Sequence, residues 1–187
     1  MKALIALFFI ILPMSAETFV FAESYRTIRK DKSFQTNVVW GQQDLNNKIG
    51  LFGWGQYGKP YRQAYGGLYI RPTSWLQVGA GSGVEQATSK ARIAGFYFTS
   101  KGRFSSYGVY ENGGSGYWYL AISTIAINKY LNFGSHSQAF IGHGVRTEVK
   151  LPSIGRWTPS IRPAFTWNKS GRPNVIIGLR MTYFRGE

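Results

Sequence analysis

Cysteine is absent from this chain of 187 residues. Its absence excludes disulfide frameworks, cysteine-ligated zinc and cysteine nucleophiles. Charged side chains are also scarce, at 16% of the residues, and 8 residues in all are Asp or Glu. Ordinary soluble domains carry about 25% charged residues. Because the sequence holds two histidines and no cluster of carboxylates, we predict neither a metal site nor a cofactor.

Long apolar segments are missing too, apart from one short run near the start. Ala3 to Leu12 is an apolar run of ten residues that follows Lys2. It is too short to cross roughly 30 Å of hydrocarbon as a helix, so it predicts a signal-peptide core, with an uncleaved anchor as the alternative. Small residues offer cleavage after Ala16 or after Ala22, and we favour Ala22. The predicted organisation is a signal peptide over 1–22, an N-terminal extension over 23–32 and one domain over 33–187.

The mature chain is rich in glycine and aromatic residues, and its apolar residues recur with a period of two. In the last segment one apolar row alternates with a row that contains Gly178, Arg180 and Thr182; the apolar row is Val175, Ile177, Leu179, Met181 and Tyr183. Such alternation is typical of β-strands, and no sustained helical spacing competes with it. We predict an all-β chain of about ten strands, with eight also compatible, over 33–42, 48–57, 63–71, 74–84, 90–99, 104–111, 116–128, 137–149, 159–167 and 174–184.

Alternation does not decide whether the apolar rows meet a protein core or lipid. A soluble β-sandwich hides them between two sheets, whereas a closed transmembrane barrel turns them outward and keeps polar rows inside. Three features favour the single closed antiparallel barrel. The polar rows combine glycine with long cations, the predicted strands have transmembrane length, and aromatic residues lie near the strand ends. These aromatic residues are Trp40, Tyr57, Trp75, Tyr117, Trp118, Tyr130, Trp157, Trp167, Tyr183 and Phe184.

With an export signal, no cysteine and these strand rows, the chain resembles the small outer-membrane β-barrels of Gram-negative bacteria. The resemblance is to the class, and no named family is matched. It implies a monomer in the cell outer membrane; the alternative is a periplasmic or secreted protein. Barrels of this class usually end on an aromatic residue, whereas here Phe184 is followed by Arg185, Gly186 and Glu187.

The formal net charge of +14 is the clearest functional signal. Four arginines and one glutamate fall on the polar rows, where a closed sheet would gather them in the lumen: Arg92, Arg146, Arg162, Arg180 and Glu148. They predict either an internal ion-pair network or a lining that binds or passes small anions. The other cations flank strands, where they can bind outer-membrane lipids or lipopolysaccharide phosphates. No nucleic-acid-binding module accompanies the charge, so nucleic acid is not a predicted partner.

Catalysis has weak support in the sequence. His136 has Ser135 and Ser137 as neighbours, and Glu148 or Glu111 could complete a nucleophilic triad. Successive residues of an extended segment point to opposite faces, however, so these serines would not meet the imidazole. We therefore favour a structural or anion-binding barrel without catalysis. The alternatives are an outer-membrane hydrolase acting on lipid A or phospholipid, and a secreted β-sandwich that binds polyanions.

Overall fold

The computed structural model of the chain describes residues 17–30, 32–58, 62–86 and 90–185. The apolar run of the predicted signal peptide lies outside these ranges. Within them, no helix has the length and apolar character needed to span a membrane. Twelve strands make up the fold: β1 (Thr18–Ile28), β2 (Ser33–Asp44), β3 (Ile49–Gly58), β4 (Arg62–Thr73), β5 (Leu76–Glu85), β6 (Lys90–Lys101), β7 (Phe104–Gly113), β8 (Trp118–Ala126), β9 (Leu131–Gln138), β10 (Gly142–Lys150), β11 (Trp157–Trp167) and β12 (Pro173–Arg185).

The strands form one closed antiparallel barrel in which each strand pairs with its neighbours in the chain. β1 closes the barrel against β12, with Thr18 opposite Arg185 and Ile28 opposite Val175. Because the number of strands is even, Thr18 and Arg185 lie at the same end, which we call the terminus end. The opposite end, which we call the far end, carries the turn between β1 and β2. Closure removes the open sheet edges that would otherwise invite aggregation.

The alternating rows take up opposite sides of the barrel wall. On β12, Leu179 points outward and is 61% exposed, whereas on β11 the inward Arg162 is 2% exposed. The whole outward row of β12 is apolar from Val175 to Met181, as is that of β11 from Ile161 to Trp167. Charged side chains that point inward, such as Arg162, are therefore buried inside the barrel, and the apolar rows of these strands are exposed on its outer surface.

Three predictions about the fold need correction. The barrel has twelve strands where about ten were predicted, because β1 and β9 were missed. β1 lies within the residues assigned to the signal peptide and the N-terminal extension, so the barrel begins at Thr18 and not at residue 33. The β-sandwich alternative is wrong, because the strands form one closed sheet and not two stacked ones.

β9 was missed because the turn after it resembles a strand in the sequence. Ala139, Phe140 and Ile141 connect β9 to β10 and are apolar, so the segment 137–149 looked like one continuous strand. Phe140 has a φ of 65° and Gly142 a φ of 115°. These left-handed conformations turn the chain, and a bulky residue such as Phe140 is rarely found in one.

Candidate lumen site

A buried ion-pair cluster lies in the middle of the lumen, centred on Glu23 of β1. Its carboxylate accepts hydrogen bonds from Arg146 Nη2 at 3.0 Å and from Arg162 Nη1 at 2.7 Å. Arg180 donates to the same carboxylate from Nε at 3.0 Å and from Nη2 at 2.5 Å. The three arginines lie on β10, β11 and β12. We call these four residues the Glu23 cluster.

Glu148 lies beside the Glu23 cluster and shares one of its arginines. Its Oε1 is 3.5 Å from Arg162 Nε. It also accepts hydrogen bonds from Asn132 Nδ2 at 3.0 Å and from Ser160 Oγ at 3.1 Å. Glu148 therefore depends less on arginine than Glu23 does, because two neutral donors also satisfy it.

A second buried cluster fills the lumen toward the far end. Arg92 Nη1 donates to Glu85 Oε2 at 2.7 Å, and Arg92 Nη2 is 3.4 Å from Glu111 Oε2. Tyr65 Oη donates to the same carboxylate of Glu111 at 2.6 Å, and Gln63 Nε2 lies 3.4 Å from its other oxygen. Glu85 and Glu111 are fully buried. We call these five residues the far-end cluster.

The charges inside the barrel cancel. Near the terminus end, Asp44 pairs with Arg71 and accepts a hydrogen bond from Tyr69. With this pair, the lumen holds five arginines and five carboxylates in contact with one another: Arg71, Arg92, Arg146, Arg162 and Arg180 with Glu23, Asp44, Glu85, Glu111 and Glu148. The five predicted lumen residues all lie inside, but as part of a compensated network and not as an uncompensated cationic lining. Within that network, the Glu23 cluster with Glu148 carries one excess positive charge.

A wall of aromatic side chains lines the other side of the lumen. Trp40 of β2 stacks on Phe52 of β3 with ring centroids 5.5 Å apart, and Phe96 of β6 meets both rings edge-on at 4.9 Å. Trp54 continues the wall by stacking on Tyr65 at 5.0 Å and on Trp118 at 6.1 Å. Trp40 and Trp118 are among the aromatic residues near the predicted strand ends that favour a membrane barrel, but both lie inside the lumen and not at the outer surface.

A cavity of about 510 Å³ lies between the aromatic wall and the Glu23 cluster. Residues of the terminus end line its mouth, among them Glu17, Ser74 and Trp75. It runs past the middle of the barrel to Tyr25 and Gln56. Beyond it, the lumen of the far end is packed with fully or almost fully buried side chains, which include Thr27, Thr166 and Asn174 besides the far-end cluster. The lumen thus combines an aromatic cavity with a polar plug.

The weak catalytic candidates are separated by the barrel wall. His136 points inward, where Arg146 Nη1 lies 3.2 Å from its Nδ1. Because a guanidinium can only donate, Nδ1 accepts, and the protonated Nε2 donates to Gln138 Oε1 at 3.1 Å. Ser135 and Ser137 are on the outward face of β9, where Ser137 Oγ shares a hydrogen bond of 2.7 Å with His143 Nδ1. The structure does not bring His136 together with either serine.

Sequence reasoning missed Glu23 and the aromatic wall. Glu23 lies in the predicted N-terminal extension, residues 23–32, for which no strand was predicted. On β3, Phe52 and Trp54 alternate with Gly53 and Gly55. The same period of two is visible there, but the sequence associates glycine with the lumen face, whereas Gly53 and Gly55 lie outside and the two rings lie inside. Reading the aromatic row as the inward row would have found the wall.

No protein-family model matches the chain, and no curated protein matches its sequence significantly. Solved structures do resemble it. An outer-membrane channel from Pseudomonas putida F1 superimposes with a TM-score of 0.58 at 9% identity, over 93% of this chain and 97% of that one. The KdgM porin gives 0.55 at 10% identity over 86% and 97%, and the NanC porin gives 0.56 at 10% identity over 88% and 100%. At such identities the likeness concerns the fold alone. It confirms the class resemblance to outer-membrane β-barrels.

Proposed function

We propose that this chain is an integral outer-membrane β-barrel of the channel class that takes small anions into its lumen. The observation that carries the proposal is the inverted distribution of polarity, with apolar rows outside and compensated charges inside. An exposed row such as Val175, Ile177 and Leu179 is unfavourable in water and suits acyl chains. The fold shared with known porins and channels supports the same location.

The shape of the lumen favours binding of a small molecule over its free diffusion through the barrel. The aromatic cavity opens toward the terminus end, while the far-end cluster fills the remaining length with buried side chains. Passage of an anion therefore requires that the plug rearrange. The excess positive charge of the Glu23 cluster with Glu148 lies beside the cavity and favours anions over cations there.

The exposed cations supply the expected lipid contacts. Eight arginines and lysines surround the far end, and among the described residues that end has no exposed carboxylate: Arg26, Arg29, Lys30, Lys32, Arg62, Lys90, Lys169 and Arg172. Phosphate groups of lipopolysaccharide are the matching partner for such a ring in an outer leaflet. We call these eight residues the far-end ring.

Two measurements test the proposal separately. Cell fractionation with heat-modifiable gel mobility tests the location, and we expect a compact band in the outer-membrane fraction that shifts on boiling. Planar-bilayer recording in a KCl gradient tests the passage. We expect small, infrequent openings that favour chloride, and the triple variant Arg146→Gln, Arg162→Gln, Arg180→Gln should shift the reversal potential toward potassium, because Glu23 and Glu148 then lose their partners.

The matched control for the bilayer experiment is Arg156→Gln in the turn between β10 and β11, where the side chain is exposed. It should leave the reversal potential unchanged. Unchanged selectivity in the triple variant would contradict the proposed passage of anions, but not the proposed location in the outer membrane. Recovery of the native protein in the soluble fraction would contradict the proposed location in the outer membrane.

A further inference from the structure

The aromatic cavity has polar side chains at two places within its apolar wall. One is Arg180 on β12, whose side chain lines the cavity and is 10% exposed. Its Nε and Nη2 donate to Glu23, and Nη2 also lies 3.4 Å from Tyr107 Oη, so that among the described residues Nη1 makes no hydrogen bond. The guanidinium carbon lies 3.9 Å from the centroid of the Phe21 ring, so the cation lies over an aromatic face.

The other is Gln77 on β5, which lines the same cavity and is 6% exposed. Its Nε2 is buried and has no hydrogen-bond partner within the described part of the chain. A buried donor without a partner costs about 1–3 kcal/mol, so native proteins rarely keep one without a reason. A ligand atom that accepts a hydrogen bond would remove that cost.

The rest of the wall selects flat apolar groups. Trp40, Phe96 and Trp118 line the cavity together with Phe19 and Phe21. Aromatic rings stack or meet edge-on with centroids 4.5–7 Å apart, so an inserted ring gains contacts on several sides. A volume of about 510 Å³ falls within the usual range of about 300–1,000 Å³ for small-molecule sites.

We propose that this cavity binds aromatic carboxylates that carry a second hydrogen-bonding oxygen. The ring lies against the aromatic wall, the carboxylate pairs with Arg180, and the second oxygen accepts from Gln77. Uncharged aromatic compounds bind less well, because they bring no negative charge to Nη1 of Arg180 or to the excess positive charge of the Glu23 cluster with Glu148. This inference rests on the proposed function and names the class of anion that the lumen takes.

Isothermal titration calorimetry of the full-length protein folded in detergent tests the proposal. The probe is 6-hydroxy-2-naphthoate, its uncharged analogue is 2-naphthol, and a titration of micelles alone gives the background. We expect saturable binding of one naphthoate per barrel, with an affinity about tenfold above that of naphthol. Absence of saturable binding, or equal affinities for the two compounds, would overturn the proposal.

Variants identify the site. Val38→Trp fills the cavity, because Val38 lines it, and should abolish binding; Val39→Trp places the same ring on the outward face of β2 and should leave binding unchanged. Arg180→Gln should remove the tenfold preference for the carboxylate, and Arg180→Lys should restore part of it. A preference that survives in a folded Arg180→Gln barrel, or equal binding by both tryptophan variants, would contradict the assignment. If the barrel binds naphthoate but never conducts ions, the proposed passage of anions is contradicted, whereas the proposed binding site is not.

Discussion

Glu23 is the carboxylate with which three of the five interior arginines pair. It forms ion pairs with Arg146, Arg162 and Arg180 at distances between 2.5 and 3.0 Å. Glu23→Gln would leave three buried guanidinium groups around one neutral amide, and breaking a buried ion pair by removing one partner costs about 3–5 kcal/mol. We therefore expect a loss of that size in the free energy of unfolding, measured by urea titration of the detergent-folded barrel.

Glu148→Gln is the matched control for that measurement. Glu148 meets one arginine at 3.5 Å and is also held by Asn132 and Ser160. Its replacement by glutamine should cost less than half as much as Glu23→Gln. Equal losses in the two variants would show that Glu23 does not organise the cluster.

Gly134 of β9 illustrates how closely the strands approach inside the barrel. A Cβ atom at this position would lie 1.8 Å from the carbonyl oxygen of Ser123 on β8. Because the backbone at Ser123 or Gly134 must move to make room for the Cβ atom, Gly134→Ala should destabilise the barrel by at least about 2 kcal/mol. At Gly53 the nearest atom to an added Cβ is 3.8 Å away, so Gly53→Ala should be nearly neutral. The urea midpoints of the two variants give the comparison, and similar midpoints would contradict it.

At the scale of the strands, the sequence predicted ten of the twelve elements and missed two for physical reasons. β11 and β12 alternate cleanly over their full length, so a period of two located them within two residues. β9, with the sequence LNFGSHSQ, has few apolar residues, because its inward positions carry His136 and Gln138. β1 overlaps a region where small residues also satisfy a signal peptidase. Period-two patterns locate strands only when no other pattern competes for the same residues.

The extent of β1 gives a prediction about processing. Thr18 to Ala22 pair with both β2 and β12. Cleavage after Ala22 would remove these residues and with them about half of the pairing between β1 and β12 that closes the barrel. We therefore expect cleavage after Ala16, which leaves Glu17 as the first residue. Intact-mass spectrometry of the protein extracted from outer membranes measures it. A mass that corresponds to a chain beginning at Glu23 would contradict closure of the barrel by the full length of β1.

At the scale of the whole molecule, the chain has a net charge of +14, and the charges in the lumen cancel; among the described residues the excess of cations therefore lies outside the lumen. The sequence predicted that Arg92, Arg146, Arg162 and Arg180 would gather inside. It could not predict their partners, because the contacts of Glu23 join residues more than a hundred positions apart. Alternation assigns a residue to a face of the barrel, but only closure of the barrel decides which residues meet across the lumen.

The far-end ring should bind lipopolysaccharide phosphates. The variant with Lys30, Lys32, Lys90 and Lys169 changed to Gln should lose about tenfold in affinity for immobilised lipopolysaccharide in detergent, because each cation contributes to phosphate binding. The matched variant changes four lysines of the terminus end to Gln: Lys48, Lys101, Lys129 and Lys150. It should bind almost as well as the native barrel. Equal losses would show that general positive charge, and not the ring, binds the phosphates.

The orientation of the barrel wall is the central claim, and the absence of cysteine allows a direct measurement of it. A spin label is attached to Leu179→Cys on the outward face of β12 or to Val38→Cys facing the cavity, in barrels reconstituted into lipid vesicles. Collision with oxygen, which concentrates in acyl chains, and with a water-soluble nickel chelate reports the surroundings of each label. We predict that the label at residue 179 is accessible to oxygen and shielded from nickel, and that the label at residue 38 is shielded from oxygen. A label at residue 179 that collides freely with nickel and not with oxygen would contradict the account.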